Sequence, residues 1–373
     1  MTAIDAFADQ QTVAVAHATF VVPYDEYGLN AQALLDIIAK FDANEYLGFV
    51  YGSGFEAQAS LLEKLAKFIP LIGNLPSSVQ AVKSPTGFFA ALMQNSIHYP
   101  QTYIAQDVTR SSSGQLQTAG YLQKFSGGCG GTHIQKMSDT WLSHASYYFQ
   151  EPMVGRPVSL LFLADAHHIA VVGFNEQWLS PTATMPFRYG GAVSQIKLSA
   201  NVAQQLRYAA QTLTQQFSLV GLNSLDAIVR DDIAYILEIN PRLSASFDLY
   251  ESDLAQMNLM HRHIQTSLQA MSLQTLHLKE YVPVKLQSKA HAVIYAAQDM
   301  QIAATFVWPA WVQDCPYLPL NSASMRFLAG QPICTVVAQA VDADTAKQAV
   351  YARVNIIKHL LEIDLHKDEY ANS

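Results

Sequence analysis

The chain has 373 residues, of which 50% are hydrophobic and 14% are charged. This length exceeds one ordinary hydrophobic core, and the composition excludes a disordered chain or a coiled coil, so several compact units are expected. The 22 Lys and Arg stand against 30 Asp and Glu, which gives a formal net charge of −8. No basic run interrupts this acidic balance, and nucleic acid is therefore an unexpected partner.

The cysteines and the N-terminus bear on the compartment. Cys129, Cys315 and Cys334 are widely separated and form no CxxC pair, which argues against a disulfide framework and against a zinc site. The first residues carry acids rather than a basic flank and an apolar stretch, and nowhere do about 18 apolar residues run together. We therefore expect a cytoplasmic protein that neither is secreted nor spans a membrane.

The N-terminal part alternates the two kinds of periodicity. Apolar runs at residues 12–22 and 46–51 predict strands, and helical spacing is present at residues 31–41 and 56–68. This alternation is typical of an α/β unit.

Residues 71–104 predict a crossing between two units. Asn74, Pro76, Ser84 and Pro85 delimit two short helices, and Pro100 ends the second of them.

Strand and loop patterns dominate from residue 121. Strands are predicted at residues 121–125, 146–152 and 158–164, with a glycine-rich loop after the first strand. A helix is predicted over 200–217, followed by a hairpin over 221–240 that turns at residues 230–232.

The last ninety or so residues predict a small α+β unit. Strand patterns lie at residues 291–297, 304–309 and 333–341, and a closing helix is predicted at residues 344–361.

The glycine-rich loop is a candidate phosphate cradle. Gly127, Gly128, Gly130 and Gly131 follow the strand that ends near Lys124. Without a Cβ, successive N–H groups can turn inward and bind an anion, while a nearby ammonium neutralises charge. The alternative is a flexible hairpin loop. The pattern is neither GxxxxGK[ST] nor GxGxxG, so a phosphate cradle of another kind is needed.

The predicted hairpin carries a candidate metal site. Asp226 and Glu238 lie on its two strands, and Asn240 adds a neutral oxygen, a set of hard ligands suited to Mg²⁺. Arg242 follows, and its guanidinium can chelate a phosphoryl or carboxylate group. The alternatives are solvated strand ends and a surface ion pair.

These motifs resemble those of the ATP-grasp superfamily, which includes biotin carboxylase and D-alanine–D-alanine ligase. EINPR at 238–242 and GLNSLD at 221–226 are similar to its metal-binding strands, and the likeness extends over residues 73–268. EINPRLSAS and GNLPSSVQAVKSPTGFF resemble the predicted ATP-dependent carboligases related to biotin carboxylase, a group that includes tyramine–glutamate ligase.

The resemblance implies a fold and a division of the chain. The fold class is α/β and α+β: an ATP-grasp fold with a shortened Rossmann-like N-terminal domain. The implied domains are residues 1–78, the ATP-grasp lobes at 79–285 and a C-terminal β-rich α+β segment at 286–373. Residues 3–11 resemble the second strand of the family's first domain, so an initial strand and helix are expected to be missing, which puts the acceptor site or full activity in question.

The resemblance also implies roles for individual residues. Lys124 would contact the α- and β-phosphates, and Lys83 would be the upstream nucleotide lysine. Arg242 would orient the acyl phosphate. The remaining implied residues are the adenine contacts at Gln150, Glu151 and Met153 and the Mg²⁺ ligands Asp226, Glu238 and Asn240, with Mn²⁺ as an alternative ion.

The implied activity is an ATP-dependent ligase. It would join a carboxylate to an amine or amino acid through an acyl phosphate, in the biosynthesis of a one-carbon-carrier cofactor. Two alternatives stay open, a biotin-carboxylase-like carboligase that activates bicarbonate and a non-catalytic ATP-binding regulatory protein. The expected partners are small molecules, a homodimer is left open, and His133 is either a loop residue or a group that reaches phosphate or the acceptor amine.

Overall fold

The computed structural model describes residues 1–25, 28–105, 108, 120–137, 146–250, 258–269, 287–317 and 323–371, with side chains up to residue 362. Within these residues no helix is long and apolar enough to cross a membrane.

The N-terminal part is an α/β unit, as predicted, with two short parallel strand pairs. Buried Leu34, Ile38, Leu62 and Leu65 form its core where two helices pack against the strands. The elements are β1 (Thr2–Asp5), α1 (Gln10–Val15), β2 (Ala18–Val21), β3 (Tyr24–Asp25), β4 (Gly28–Leu29), α2 (Ala31–Ile38), a 3₁₀ turn at Ala43–Glu45, β5 (Phe49–Val50), α3 (Ala59–Leu65) and β6 (Leu71–Ile72). β1 pairs with β2, and β5 pairs with β6.

The strand predicted at residues 12–22 is wrong in its first half. Residues 10–15 form α1, because the Asp9 side chain accepts the N–H of Thr12 and caps the helix. Only Ala18–Val21 of this run is a strand. The strand predicted at 46–51 is reduced to β5.

Two short helices follow the N-terminal unit, as predicted. They are α4 (Pro76–Lys83) and α5 (Pro85–Gln94), and each begins with a proline in its first turn. Proline is favoured there because its fixed φ suits a helix and the missing N–H has no intrahelical partner. Lys83 therefore lies at the last turn of α4.

A four-stranded antiparallel sheet comes next, in the order β7-β10-β8-β9. Its strands are β7 (Thr102–Ile104), β8 (Leu122–Phe125), β9 (Ile134–Lys136) and β10 (Tyr147–Gln150). The glycine-rich loop joins β8 to β9.

An eight-stranded antiparallel sheet forms the centre of the molecule, in the order β15-β14-β11-β12-β13-β16-β20-β18. Helix α6 covers one face with residues at helical spacing, including Val202, Leu206 and Leu213. The remaining elements are β11 (Arg156–Asp165), β12 (Ile169–Leu179), β13 (Tyr189–Val193), α6 (Ala200–Phe217), β14 (Val220–Arg230), β15 (Ile233–Asn240), a 3₁₀ turn at Ala245–Leu249, α7 (Leu259–Ser267), β16 (Ser288–Tyr295), β17 (Met300–Ala303), β18 (Val312–Gln313), β19 (Ser324–Phe327), β20 (Pro332–Ala340) and α8 (Ala343–Ala371).

The C-terminal strands continue this central sheet, because β16 pairs with β13. The boundary expected at residues 285 and 286 lies outside the described residues. The strands predicted at 291–297 and 333–341 and the closing helix are confirmed. The strand predicted at 304–309 is wrong, since the chain turns at Ala304 and Thr305 directly after β17.

Candidate functional site

The predicted acidic pair lies on neighbouring strands and faces the same way. Asp226 on β14 is the direct cross-strand partner of Glu238 on β15. The hairpin joining them turns at Asp231 and Asp232, whose φ angles of 52° and 61° match the mirror-image turn that suits the twist of antiparallel strands. The structure therefore brings both carboxylates to one spot.

Amide side chains hold Asp226 in place. Its Oδ1 accepts a hydrogen bond from Gln177 Nε2 at 3.1 Å, and its Oδ2 accepts one from Asn240 Nδ2 at 2.9 Å. Gln177 comes from β12, and nothing in its local sequence marks it, so sequence reasoning missed it. The oxygen of Asn240, the expected third metal ligand, faces Lys83 and Arg242.

The two carboxylates have opposite pKa shifts. Burial, and then the neighbouring charge of Glu238, raise the pKa of Asp226 to about 6. Burial acts to raise the pKa of Glu238 as well, but the ammonium of Lys83, 2.8 Å from Oε2, outweighs it and the pKa falls to about 2. A neighbouring cation explains this difference, because Lys83 bonds Glu238 and not Asp226.

This donor set fits a magnesium ion that also binds phosphate. Among the described residues no group of three or more His, Cys, Asp or Glu could form a closed protein cage. Two carboxylates and an amide oxygen suit Mg²⁺, which keeps several positions for water and phosphate oxygens. The residues present therefore fit the expected ion.

Lys124 is the second buried cation beside the acidic pair. Its Nζ donates to Gln150 Oε1 at 2.6 Å, and Gln150 in turn donates to Thr102 Oγ1 at 3.2 Å. Burial lowers the pKa of Lys124 to about 8, although the charges of Glu238 and Asp226 act in the opposite direction. Lys124, Lys83 and the acidic pair thus lie in one electrostatic cluster.

The residues expected to contact adenine lie at the end of β10. The side chain of Gln150 is buried and is engaged with Lys124, whereas that of Glu151 is exposed and that of Met153 is half-buried. The backbone N–H of Glu151 donates to Gln101 O at 2.8 Å. Of the three residues, Gln150 is thus the one that contacts Lys124, and Glu151 and Met153 follow it beyond the end of β10.

The glycine-rich loop lies against three other parts of the chain. Ser126 Oγ donates to the backbone carbonyl of Lys83, so the loop begins beside the last turn of α4. A Cβ on Gly127 would come within 2.7 Å of the Ala57 backbone, and one on Gly131 within 1.9 Å of Phe187 O. Glycine is therefore required at both positions, which also have positive φ.

Two other residues of this loop region are uncharged at neutral pH. Burial lowers the pKa of His133 to about 4, and its buried Nδ1 has no hydrogen-bond partner among the described residues. Burial raises the pKa of the Cys129 thiol, so it stays protonated and is not an activated nucleophile. Both residues line a cavity of about 340 Å³ between the loop and the N-terminal unit.

Arg242 is buried and paired with a residue that sequence reasoning missed. Its Nε donates to Glu56 Oε1 at 2.6 Å, and Glu56 belongs to the N-terminal unit. In the local sequence Glu56 is marked only by its position directly after the turn-forming run Gly52-Ser53-Gly54-Phe55. Such a signal cannot identify a partner 186 residues away.

Comparison with known proteins gives a family match for the central part of the chain and a similar protein over most of its length. Residues 86–246 match the family described as the ATP-grasp domain. An uncharacterized protein of Methanocaldococcus jannaschii is 20% identical over 338 residues, which are 87% of this chain and 76% of that protein.

Two solved structures are similar over most of their length. An L-amino acid ligase from Bacillus licheniformis has a TM-score of 0.64 at 12% identity, covering 95% of this chain and 96% of that one. Biotin carboxylase from Campylobacter jejuni, in its β-γ-ATP complex, has a TM-score of 0.68 at 14% identity, covering 92% of this chain and 88% of that one. These structures show that the chain has the ATP-grasp fold, which confirms the predicted fold class, and the match over residues 86–246 agrees with the predicted superfamily.

Proposed function

We propose that this protein is an ATP-dependent ligase that joins a carboxylate to an amine or an amino acid. In the first step a carboxylate oxygen attacks the γ-phosphorus of ATP, the bond to the β-phosphate oxygen breaks, and an acyl phosphate and ADP form. In the second step the amine nitrogen attacks the acyl carbon, loses a proton and expels inorganic phosphate. The product is an amide.

The observation that carries the proposal is the convergence of opposite charges on one hairpin. Asp226 and Glu238 are cross-strand partners, and Lys83 bonds Glu238 at 2.8 Å. Lys124 is close enough for both carboxylates to influence its pKa. Paired acids beside several buried cations suit a metal-bound polyphosphate better than a neutral ligand.

The acidic hairpin would hold the metal. Asp226, Glu238 and Asn240 supply hard oxygen ligands, and Mg²⁺ bound to them would neutralise charge on the phosphates. Lys83 bonds Glu238 at 2.8 Å, and its ammonium would neutralise phosphate oxygens beside these ligands.

The cations and the glycine-rich loop would bind the phosphates. Lys124 would neutralise the α- and β-phosphates, and the backbone N–H groups of Gly127, Gly128, Gly130 and Gly131 would close over the transferred group. Arg242 would orient the acyl phosphate. These groups position and neutralise charge, so no covalent nucleophile is needed.

Gln150, Glu151 and Met153 would border the adenine. A role in the biosynthesis of a one-carbon-carrier cofactor is the finer part of the proposal. It rests on the resemblance of EINPRLSAS and GNLPSSVQAVKSPTGFF to the carboligase group.

Release of ADP in a screen of carboxylates with amines and amino acids tests the proposal. We expect release that requires a carboxylate, an amine and Mg²⁺ together. Glu238→Gln and Lys124→Ala should each lower the rate at least a hundredfold, because each removes charge from the phosphate site. Glu176→Gln is the matched control, since Glu176 lies in the same sheet but pairs with Arg156 and Lys347.

Other outcomes would decide against the ligase. Turnover that needs bicarbonate and no amine would favour the carboligase alternative. Tight ATP binding without turnover in any mixture would favour a regulatory protein. Full activity in Glu238→Gln would remove the assignment of the site.

A further inference from the structure

Glu56 is a buried carboxylate that the N-terminal unit contributes to the candidate site. Its side chain is 1% exposed. Oε1 accepts a hydrogen bond from Arg242 Nε at 2.6 Å, and Oε2 accepts one from the backbone N–H of Gly54 at 2.9 Å. Both oxygens are engaged, so the orientation of the carboxylate is fixed.

The contacts of Arg242 fix the plane of its guanidinium group. Besides the bond to Glu56, Nη1 donates to Leu243 O at 3.0 Å and Nη2 donates to Asn240 Oδ1 at 3.4 Å. A guanidinium has five N–H donors, and these contacts use three of them. Two N–H donors are left without a partner among the described residues, on a group that also touches the acidic hairpin through Asn240.

We propose that Glu56 is a positioning residue for Arg242. It holds the guanidinium so that its remaining N–H groups point at the phosphoryl group transferred in the proposed ligase reaction, on which this inference rests. Arginine stays protonated in proteins, so Glu56 offsets the cost of burying this cation and fixes its direction.

The turn that carries Glu56 also touches the glycine-rich loop. A Cβ on Gly127 would come within 2.7 Å of the carbonyl carbon of Glu56 and of the backbone of Ala57. One turn of the N-terminal unit therefore fixes both Arg242 and the start of the loop. The N-terminal unit therefore determines the geometry of the phosphoryl site, in addition to any contacts that it makes with the substrate.

Titration with inorganic phosphate tests the inference. Wild-type protein and Glu56→Gln are saturated with Mg²⁺ and ADP, and phosphate is added in a calorimeter. Glutamine has nearly the same shape and keeps one acceptor oxygen, but it lacks the charge. We expect the affinity for phosphate to fall about tenfold and the affinity for Mg²⁺–ADP to stay within about twofold. The reason is that the charge-assisted bond of Glu56 orients only Arg242 and none of the residues proposed to bind the nucleotide.

Two further variants distinguish a positioning role of Glu56 from a general loss of packing in the N-terminal unit. Tyr51→Phe removes a buried hydrogen bond of 2.6 Å to Asn74 O in the same unit, and it should leave both affinities unchanged. Arg242→Lys should weaken phosphate binding, and adding Glu56→Gln to it should cost little more, because residues that act as a unit are not additive.

The inference is overturned by any of three results. These are unchanged phosphate affinity in Glu56→Gln, equal losses for phosphate and for Mg²⁺–ADP, or no phosphate binding by the wild-type protein. No carboxylate or amine is present in this titration. Failure of the ligase proposal, which would be seen as absent amine-dependent ADP release, is therefore a separate result.

Discussion

At the scale of single residues, Lys124 and Asp226 are the two buried groups of the candidate site whose pKa values have moved toward neutrality. Burial lowers the pKa of Lys124 to about 8 and raises that of Asp226 to about 6. Burial favours the neutral form of an ionisable group that has no close opposite charge. A ligand that supplies the opposite charge stabilises the charged form. Both residues therefore have a measurable response to nucleotide and metal.

Nucleotide affinity should fall above pH 8 because of Lys124. Phosphate binds its protonated form, so the contribution is complete below the pKa of the free protein and is lost as the pH rises through about 8. We expect the affinity for Mg²⁺–ADP, measured by titration between pH 7 and 9.5, to fall by up to about tenfold per unit above pH 8. In Lys124→Arg the guanidinium stays protonated, and the decline should vanish. The same decline in that variant would assign the effect to another group.

Replacing Asp226 should separate stability from function. Since the folded pKa of about 6 lies above the ordinary value of 3.8, the proton on Asp226 stabilises the fold at low pH, and this stability is lost as the pH rises through 6. Asp226→Asn is permanently neutral. At pH 8 without metal its melting temperature should therefore equal or exceed that of the wild type, while its affinity for Mg²⁺–ATP falls at least tenfold.

Asp299→Asn is the matched control for this experiment. The Ala329 N–H and then Arg326 lower the pKa of Asp299, so its ionised form is favoured in the folded protein. Its replacement should give no gain in melting temperature and no loss of nucleotide affinity. A clear drop in the melting temperature of Asp226→Asn would mean that the carboxylate is needed to hold Gln177 and Asn240.

At the scale of elements, the glycine-rich loop depends on close packing at Gly127. Its φ is 79°, and a Cβ there would meet the Ala57 backbone at 2.7 Å. Gly127→Ala should therefore lower the melting temperature and raise the KM for ATP, because the loop has to move away from the N-terminal unit. Thermal unfolding and steady-state kinetics measure both effects.

Gly120→Ala controls for backbone strain alone. Gly120 has a similar φ of 84°, but its Cβ would meet none of the described residues within 4 Å. Both variants carry the cost of an alanine at positive φ, which is about 1–2 kcal/mol, and only Gly127→Ala adds the steric clash. Equal effects of the two substitutions would show that the contact with Ala57 is unimportant.

The sequence predicted elements well where a local pattern determines them. Helix α6 shows helical spacing over its whole length, and the hairpin of β14 and β15 has strand runs on both sides of a polar turn. Helix α1 was missed because a single capping bond from Asp9 outweighs the strand-forming residues that follow. The pairing of β16 with β13 joins distant segments, and periodicity carries no information on such pairing.

The site was predictable to the extent that its residues form motifs. Lys124, Asp226 and Glu238 stand in a recognisable order. The register that the turn sets would place Asp226 opposite Leu237, however, and the irregularity between Asp226 and Ala227 that pairs Asp226 with Glu238 has no signal in the sequence. Glu56 and Gln177 reach the site from other parts of the fold, and single polar residues of this kind resemble surface residues in a sequence. Their contribution is a tertiary contact, which only the folded structure defines.

At the scale of the whole molecule, a buried asparagine joins the N-terminal unit to the central sheet. Asn74 Nδ2 donates to Asn223 Oδ1 at 2.8 Å and to Pro241 O at 3.0 Å, and its Oδ1 accepts from the Val220 N–H at 2.8 Å. Pro241 directly precedes Arg242. The contact thus links the stability of the interface to the position of the arginine.

Asn74→Ala should be among the most destabilising single changes in this interface. It leaves buried polar groups of Asn223, Pro241 and Val220 unpaired, and we expect a loss of about 2–4 kcal/mol in the free energy of unfolding. Urea denaturation gives this value. Asn95→Ala is the control. In the part of the chain that the structure describes, the half-buried Asn95 side chain makes one bond, to Ala91 O at 2.8 Å, and its loss should cost under about 1.5 kcal/mol. Similar losses of unfolding free energy in the two variants would show that the interface between the N-terminal unit and the central sheet does not depend on Asn74. The connection between them would then rest on the pair of Glu56 and Arg242.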